Sequence, residues 1–154
     1  MAFYGGFFMY QIAYISYASE VFDPEADDGI DDILKSAKSH NKDLGITGML
    51  LFKGGVFLQI LEGEKEAIEK LYGKIALDLR HEGLKLLVKQ EASERIFQDW
   101  TMGFKLINEV DLDLINTILP WKSIIEDTKN RKRISKDKIL QIFKEFRYQM
   151  GKEK

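Results

Sequence analysis

Two apolar runs joined by a pair of glycines dominate the hydrophobic pattern of the chain. The runs are Met49–Phe52 and Val56–Leu61, and Gly54 and Gly55 lie between them. Two-residue hairpin turns need positive φ angles, which glycine adopts readily, so the pattern predicts a β-hairpin. Because nearly every position of both runs is apolar, we expect both strands to be covered on both faces of a sheet.

Gln59 is a polar residue inside the second of these runs. Burying an unpaired amide costs about 1–3 kcal/mol, so this side chain needs hydrogen-bond partners. Two interpretations stay open on the pattern alone. Either the backbone satisfies a core glutamine, or a bound ligand meets an amide that can both donate and accept.

Three further stretches rich in aromatic and β-branched residues predict strands at Tyr10–Tyr17, Leu84–Glu91 and Phe97–Ile107. Together with two intervening helices, the order becomes strand, helix, strand, strand, helix, strand, strand. This order predicts an α+β fold, in which two helices cover one face of a βαββαββ sheet, similar to the ferredoxin-like fold.

Each of the two intervening helices shows an apolar stripe with helical spacing. The first is capped by Asp27 or Asp28 and ends near His40-Asn41; its stripe is Ile30, Ile33, Leu34 and Ala37. The second follows Glu62-Gly63-Glu64 and closes at Arg80-His81; its stripe is Ile68, Leu71, Tyr72, Ile75 and Leu79.

Beyond Val110 the pattern becomes helical. A short helix is expected to end at Pro120, a second is expected at Trp121–Asp127, and Ser135 caps a last one. The stripe of the last helix is Ile139, Ile142, Phe143, Phe146 and Met150. It needs cover from the free face of the sheet or from a second protomer. We therefore divide the chain into an N-terminal extension (1–9), a domain (10–108) and a C-terminal helical extension (109–154).

The charge of the chain is uneven. Residues 129–154 carry ten Lys/Arg against three Asp/Glu, whereas residues 1–128 carry 13 against 22. The acidic main part is a poor candidate for nucleic-acid binding, and only the basic tail suits an anionic partner. The apolar opening of the chain lacks a basic start and is too short to span a bilayer. We expect no membrane contact and a cytoplasmic location.

Enzyme motifs are absent from the sequence. There is no phosphate-binding glycine loop, no His-based zinc motif and no nucleophile elbow, and the chain has no cysteine. The two histidines, His40 and His81, each follow a predicted helix, where they can bond the last carbonyls. We therefore expect neither a metal site nor an enzyme. An acylphosphatase-like activity is disfavoured because the first loop is acidic.

Five short motifs occur in a specific order: Y-I-S-Y-A, H-N-x(4)-I-T-G-M-L-L-F, G-x-F-L-Q-I-L-E-G, D-L-R-H and R-x-F-x-D-W-T-M-G-F. In this order and spacing they resemble the BLUF family of blue-light sensors that use FAD. The resemblance covers about Tyr10 to Phe104. It implies that residues 10–108 form a flavin-binding domain. The cofactor would be FAD, with FMN or riboflavin as alternatives, because the recognition visible in the sequence concerns the ring.

The resemblance also implies roles for individual residues. Ile33 and Ile75 would sandwich the flavin ring, Asn41 would bond its carbonyl region, and Asp78, Arg80 and His81 would lie near its pyrimidine end and ribityl chain. Lys38 and Lys42 are candidate phosphate partners. Tyr14 and Gln59 would form the photochemical pair, with Ser16 and Met102 in the same pocket and Trp100 either inside or outside it.

In this family, the implied response to light is a rearrangement of Gln59, by rotation or tautomerisation, after electron and proton transfer from Tyr14. The flavin stays noncovalent and its absorption shifts slightly to the red. About 50 residues follow the domain, too few for a cyclase or phosphodiesterase domain. We therefore expect signalling through the C-terminal helices to a separate effector protein or through a homo-oligomer, dimeric or larger. The alternative is a light-insensitive interaction module on the same scaffold.

Overall fold

The computed structural model describes residues 9–22 and 29–152. The predicted caps of the first helix, Asp27 and Asp28, lie outside these ranges, as do residues 1–8 of the predicted N-terminal extension. The described chain divides between Lys105 and Leu106 into two compact units.

A five-stranded sheet forms the framework of the first unit. Its strands are β1 (Met9–Ala18), β2 (Thr47–Lys53), β3 (Val56–Gly63), β4 (His81–Ala92) and β5 (Gly103–Leu106), in the spatial order β4-β1-β3-β2-β5. The pairs β1–β3, β1–β4 and β2–β3 are antiparallel. The order β4-β1-β3-β2 is that of the predicted ferredoxin-like fold, and β5 adds an edge strand beside β2.

The glycine pair forms the predicted hairpin. Gly54 and Gly55 have φ angles of 56° and 82°, and the flanking residues Lys53 and Val56 face each other in the register. All residues of β3, and all of β2 except Lys53, are buried. The prediction of two strands covered on both faces is therefore confirmed.

Two helices cover one face of the sheet, as predicted. They are α1 (Gly29–Leu44) and α2 (Lys65–Ala76). Both helices pack against one cluster of apolar side chains, to which β1 contributes Tyr10, Ile12 and Tyr14 and β3 contributes Phe57 and Leu61. Side chains alternate along a strand, so Gln59, between Phe57 and Leu61, belongs to this face. This placement puts the amide under the helices.

Two predicted helix ends were wrong, and so was one predicted burial. The first helix continues past Asn41 to Leu44, and it ends where Gly45 adopts a φ of 67°. The second helix ends at Ala76 instead of Arg80-His81, because a turn follows in which the Asp78 side chain accepts from the Arg80 backbone N–H. Leu79, predicted to be buried, is 81% exposed.

The fifth strand is shorter than predicted. It begins at Gly103 instead of Phe97, so Trp100 and Met102 precede it. The backbone amides of Ile96 and Phe97 donate to the side chain of Glu62 instead of to a neighbouring strand. Residues 95–102, the linking segment between β4 and β5, therefore follow an irregular path.

The second unit contains three helices among its described residues: α3 (Glu109–Ile118), α4 (Trp121–Lys129) and α5 (Lys136–Lys152). Asn108 and Asp111 form a capping box at the start of α3. Ser135 accepts from the Lys138 amide, as expected of the predicted cap of α5. Helix α3 contacts both α4 and α5. No helix of the described residues is long and apolar enough to cross a membrane.

Candidate functional site

A cavity of about 510 Å³ lies between α1, α2 and the helix-covered face of the sheet. This volume is within the range of small-ligand pockets. Ten of the eleven predicted site residues line it: Tyr14, Ser16, Ile33, Asn41, Gln59, Ile75, Asp78, Arg80, His81 and Met102. The sequence therefore identified the wall of one pocket, although these residues come from several different parts of the chain.

A chain of three side chains forms the buried floor of this cavity. The Tyr14 hydroxyl donates to Oε1 of Gln59, and Nε2 of Gln59 donates to the sulfur of Met102 over 3.2 Å. Tyr14 and Gln59 meet because they face each other directly in the β1–β3 register. The single amide thus accepts at one end and donates at the other, and its partners in this structure are two side chains instead of the backbone.

Burial controls the acidity of Tyr14. Loss of solvation, followed by the effects of Tyr72 and Asp78, raises the pKa of the phenol well above its usual range. The Tyr72 ring lies edge-on to Tyr14, with the two centroids 5.9 Å apart. The phenol therefore stays protonated at ordinary pH and keeps the hydrogen that it donates to Gln59.

Asn41 lies in the last turn of α1 and is almost completely buried. Its Nδ2 donates to the backbone oxygen of Thr101 over 2.7 Å. The side chain thus connects α1 to the residue just before Met102. A helix C-cap role, the simplest interpretation of its sequence position, does not apply because the helix continues to Leu44.

His81 connects β1 to the end of α2. Its Nδ1 lies 2.7 Å from the Ser16 hydroxyl and its Nε2 lies 2.6 Å from the Ile75 carbonyl oxygen. A carbonyl only accepts, so Nε2 carries a hydrogen and donates to Ile75, while Nδ1 and the Ser16 hydroxyl share the other hydrogen bond. His81 begins β4 rather than ending a helix, yet it still bonds a carbonyl of the last turn of α2.

Charged side chains surround the remaining wall. Arg80 pairs with Asp78, with an Nη2–Oδ2 distance of 2.6 Å, and this hydrogen bond lowers the pKa of Asp78 and raises that of Arg80. Lys70 and Lys74 of α2 also line the cavity. Lys38 and Lys42, the predicted phosphate partners, are exposed and are not among the described lining residues.

Trp100 is the predicted site residue that does not line the cavity. Its ring packs against Phe97, with a centroid separation of 5.5 Å. The ring and the Met49 sulfur lie so close to Gly103 that a methyl group on this glycine would be 2.5 Å and 2.7 Å from them. Met49 belongs to the sheet face opposite the cavity, since Leu50 and Phe52 belong to the helix-covered face. Met102 is therefore inside the pocket and Trp100 outside it.

The lining residues suit a flavin. Isoleucines on two different helices offer apolar contacts to a flat ring, the amides of Asn41 and Gln59 offer both donors and acceptors, and the lysines of α2 offer charge to phosphate groups. The described residues contain no cluster of His, Asp and Glu side chains that could hold a metal ion.

Comparison with protein families matches residues 9–103 to the BLUF model, described as sensors of blue light using FAD. The chain belongs to the BLUF family. The match covers more than half of the chain and includes every predicted site residue. This BLUF domain is a sensor of blue light that uses FAD as its chromophore.

Solved structures that resemble the chain over most of its length include those of BlsA and BlrB. The photo-activated state of BlsA is 29% identical with a TM-score of 0.73, and the match covers 90% of this chain and 94% of BlsA. The dark-state structure of BlrB, a BLUF protein, is 30% identical with a TM-score of 0.64, and the match covers 77% of this chain and 90% of BlrB.

Among curated relatives, the Escherichia coli blue light- and temperature-regulated antirepressor BluF is 35% identical over 53% of this chain and 20% of its own length. A photoactivated adenylate cyclase subunit beta of Euglena longa is 35% identical over 57% of this chain and 10% of its own length. The chain thus spans only a small part of these relatives, and their antirepressor and cyclase activities belong to those longer proteins.

Proposed function

We propose that the light response of this chain is a change in the hydrogen bonds of Gln59, driven from Tyr14. The observation that carries the proposal is the buried pair of hydrogen bonds that joins Tyr14, Gln59 and Met102 at the floor of the cavity. The bound flavin supplies the absorption of blue light and, once excited, a strong oxidant. All other parts of the response are assigned to side chains of this protein.

Tyr14 would give up an electron and the proton of its hydroxyl to the excited flavin by way of Gln59, and both would return to Tyr14 as the pair recombines. Light then leaves the amide rearranged, by rotation or tautomerisation, so that its nitrogen no longer donates to the Met102 sulfur. An amide is suited to this role because one rotatable group carries a donor and an acceptor of similar shape. Ser16 and His81 hold β1 and α2 together beside the pair.

Other lining residues bind the cofactor in this proposal. Ile33 and Ile75 contact the ring, and Asn41 and Gln59 bond its polar edge. Asp78, Arg80 and His81 lie along its polar side, and Lys70 and Lys74 replace Lys38 and Lys42 as the phosphate partners. FAD is the family's chromophore; the same ring contacts would also accept FMN or riboflavin.

The experiment that tests this function is an absorption spectrum of the purified protein in darkness and directly after blue light. We expect a structured flavin band that shifts slightly to the red without bleaching and recovers in darkness. Gln59→Leu should keep the flavin band and lose the shift. A shift that persists in Gln59→Leu would contradict the assigned role. A colourless protein that takes up no added FAD would instead favour a light-insensitive interaction module.

The output of the signal is proposed to pass through the linking segment into β5, which continues along the chain into α3. We propose that it then reaches a separate effector protein or changes a homo-oligomer, and that the protein acts in the cytoplasm. The proposal is supported by relatives whose BLUF regions belong to longer regulated proteins, such as a light-regulated adenylyl cyclase. Identical size-exclusion profiles and identical hydrogen exchange of α3–α5 in darkness and light would contradict it.

A further inference from the structure

Glu62 is a fully buried acidic residue that lies outside the cavity. It stands three residues after Gln59 on β3, so its side chain belongs to the opposite face of the sheet. Burying a carboxylate is costly unless several donors satisfy it. The hydrogen-bond donors around Glu62 therefore show which parts of the chain its carboxylate fixes in place.

Two of these donors are backbone amides of the linking segment. The carboxylate accepts from Ile96 N–H and Phe97 N–H, each at 2.8 Å, and from the Gln11 side chain at 2.7 Å. Arg95, just before them, donates to the Glu62 backbone oxygen over 3.2 Å. The start of the linking segment is thus fixed to the end of β3.

The end of the linking segment is held differently. Met102 accepts from Gln59, and the Thr101 carbonyl accepts from Asn41. The Trp100 carbonyl accepts from the Gly48 amide over 2.9 Å. Two of these three contacts come from Asn41 and Gln59, which line the cavity. A movement of either side chain therefore alters a hydrogen bond to this end of the linking segment.

Between the two ends lies a turn. Gln98 and Asp99 are exposed, whereas Phe97 before them and Trp100 after them are buried. The turn is closed by a 3.4 Å hydrogen bond from the Trp100 amide to the Phe97 carbonyl oxygen and by packing of the two rings, whereas the side chains of Gln98 and Asp99 are exposed. Rotation of the backbone within the linking segment therefore costs least at these two residues.

We propose that Glu62 is a positioning residue for the light response: it fixes residues 95–97, so that rearrangement of Gln59 displaces residues 100–102 about a hinge at Gln98–Asp99. The inference rests on the proposed role of Gln59. Glu62 touches neither the cavity nor the photochemical pair. Its effect is to keep the displaced end close to its dark position and so to speed the return after illumination.

The first test uses the unmodified protein. Hydrogen exchange measured under continuous blue light should accelerate at the Gly48 amide, which donates to Trp100, and stay unchanged at the amides of Ile96 and Phe97. Loss of protection at Ile96 and Phe97 equal to that at Gly48 would overturn the hinge. Unchanged exchange at all three amides in a protein with a normal red shift would overturn it as well.

The second test is Glu62→Gln, which replaces one carboxylate oxygen by an N–H₂ group that cannot accept from the backbone. We expect the dark spectrum and the size of the red shift to be retained, because the cavity is on the other face, and dark recovery to slow at least threefold. Gln90→Leu is the matched control. It removes the 3.0 Å bond from Gln90 to Gln11 but leaves all bonds of the linking segment intact, so its recovery rate should not change.

The outcomes separate this inference from the proposed function. Normal recovery in Glu62→Gln, together with faster exchange at Ile96 and Phe97, would show that Glu62 only stabilises the fold and would overturn its positioning role. Equal slowing in Gln90→Leu would have the same meaning. Absence of a red shift in the unmodified protein would instead overturn the proposed role of Gln59. If Glu62→Gln does not fold, the exchange pattern of the unmodified protein decides the question.

Discussion

The amide nitrogen of Gln59 donates to the sulfur of Met102 over 3.2 Å, while the oxygen of the same amide accepts from Tyr14. Sulfur is a weak acceptor, so the amide loses little energy if it leaves this orientation. The strong partner, Tyr14, accepts as well as donates through its hydroxyl and suits either orientation. The weak contact with Met102 is therefore the one that the proposed rearrangement would exchange.

Met102→Leu should slow the return of the protein to its dark state after illumination. The substitution keeps the volume but removes the acceptor, which destabilises the dark orientation of Gln59 by about 0.5–1 kcal/mol. If the transition state of recovery already makes this bond and the lit arrangement does not, recovery should slow about two- to fivefold, with the red shift retained. Recovery is followed by absorption after a blue pulse. Leu50→Met, another lining residue, is the control; equal slowing in both variants would point to altered packing instead.

The Tyr14 phenol should make the folded protein sensitive to alkali. Its pKa is raised, so above the ordinary value near 10 the unfolded chain releases this proton while the folded protein keeps it. Stability therefore falls as pH rises from about 10, by at most about 1.4 kcal/mol per pH unit for this one group. Tyr14→Phe should show a shallower fall in denaturant titrations between pH 9 and 11. Parallel curves for the two proteins would contradict the buried, protonated phenol.

Much of the fold was readable from periodicity and turn chemistry, whereas the site residues were implied by the resemblance to the BLUF family. The glycines at 54 and 55 identified the hairpin, and the isolated amide at 59 marked the sheet face that lines the cavity. Element ends were less predictable. The motif D-L-R-H was predicted to end the second helix. In the structure the helix ends at Ala76, and the Asp78 side chain accepts from the Arg80 backbone amide in the turn that follows.

Residues that act through distant backbone groups were missed. Glu62 follows an apolar run, and the sequence indicated only that it precedes a helix. No local pattern shows that its side chain accepts from the amides of Ile96 and Phe97, which lie 34 and 35 positions further along the chain. The candidate phosphate partners on α1 do not line the cavity. Lys38 and Lys42 share α1 with Asn41, but the side of the helix that lines the cavity carries Ile33 and Ala37 instead.

The lysines of α2 offer a test of how the cofactor is held. Lys70→Ala and Lys74→Ala should each weaken FAD binding about 1.4- to fivefold, because an exposed charge pair contributes about 0.2–1 kcal/mol. Riboflavin, which lacks phosphate, should bind with unchanged affinity. Flavin fluorescence titration of the cofactor-free protein measures both. Lys38→Ala and Lys42→Ala are matched controls on α1, and an equal loss in these variants would indicate a general charge effect.

Gly73 lies within α2 at a position where a methyl group on its α-carbon would meet nothing within 4 Å. Glycine in an exposed helix costs about 1 kcal/mol relative to alanine, so Gly73→Ala should raise the free energy of unfolding by nearly that amount. The measurement is urea denaturation followed by circular dichroism. Gly48→Ala is the opposite case, because a methyl group there would lie 2.1 Å from the Ile60 carbonyl oxygen and should destabilise the sheet. Stabilisation by Gly73→Ala without a change in flavin affinity would show that this glycine serves no contact with the cavity; a loss of affinity would show that the cofactor approaches α2 closely at this turn.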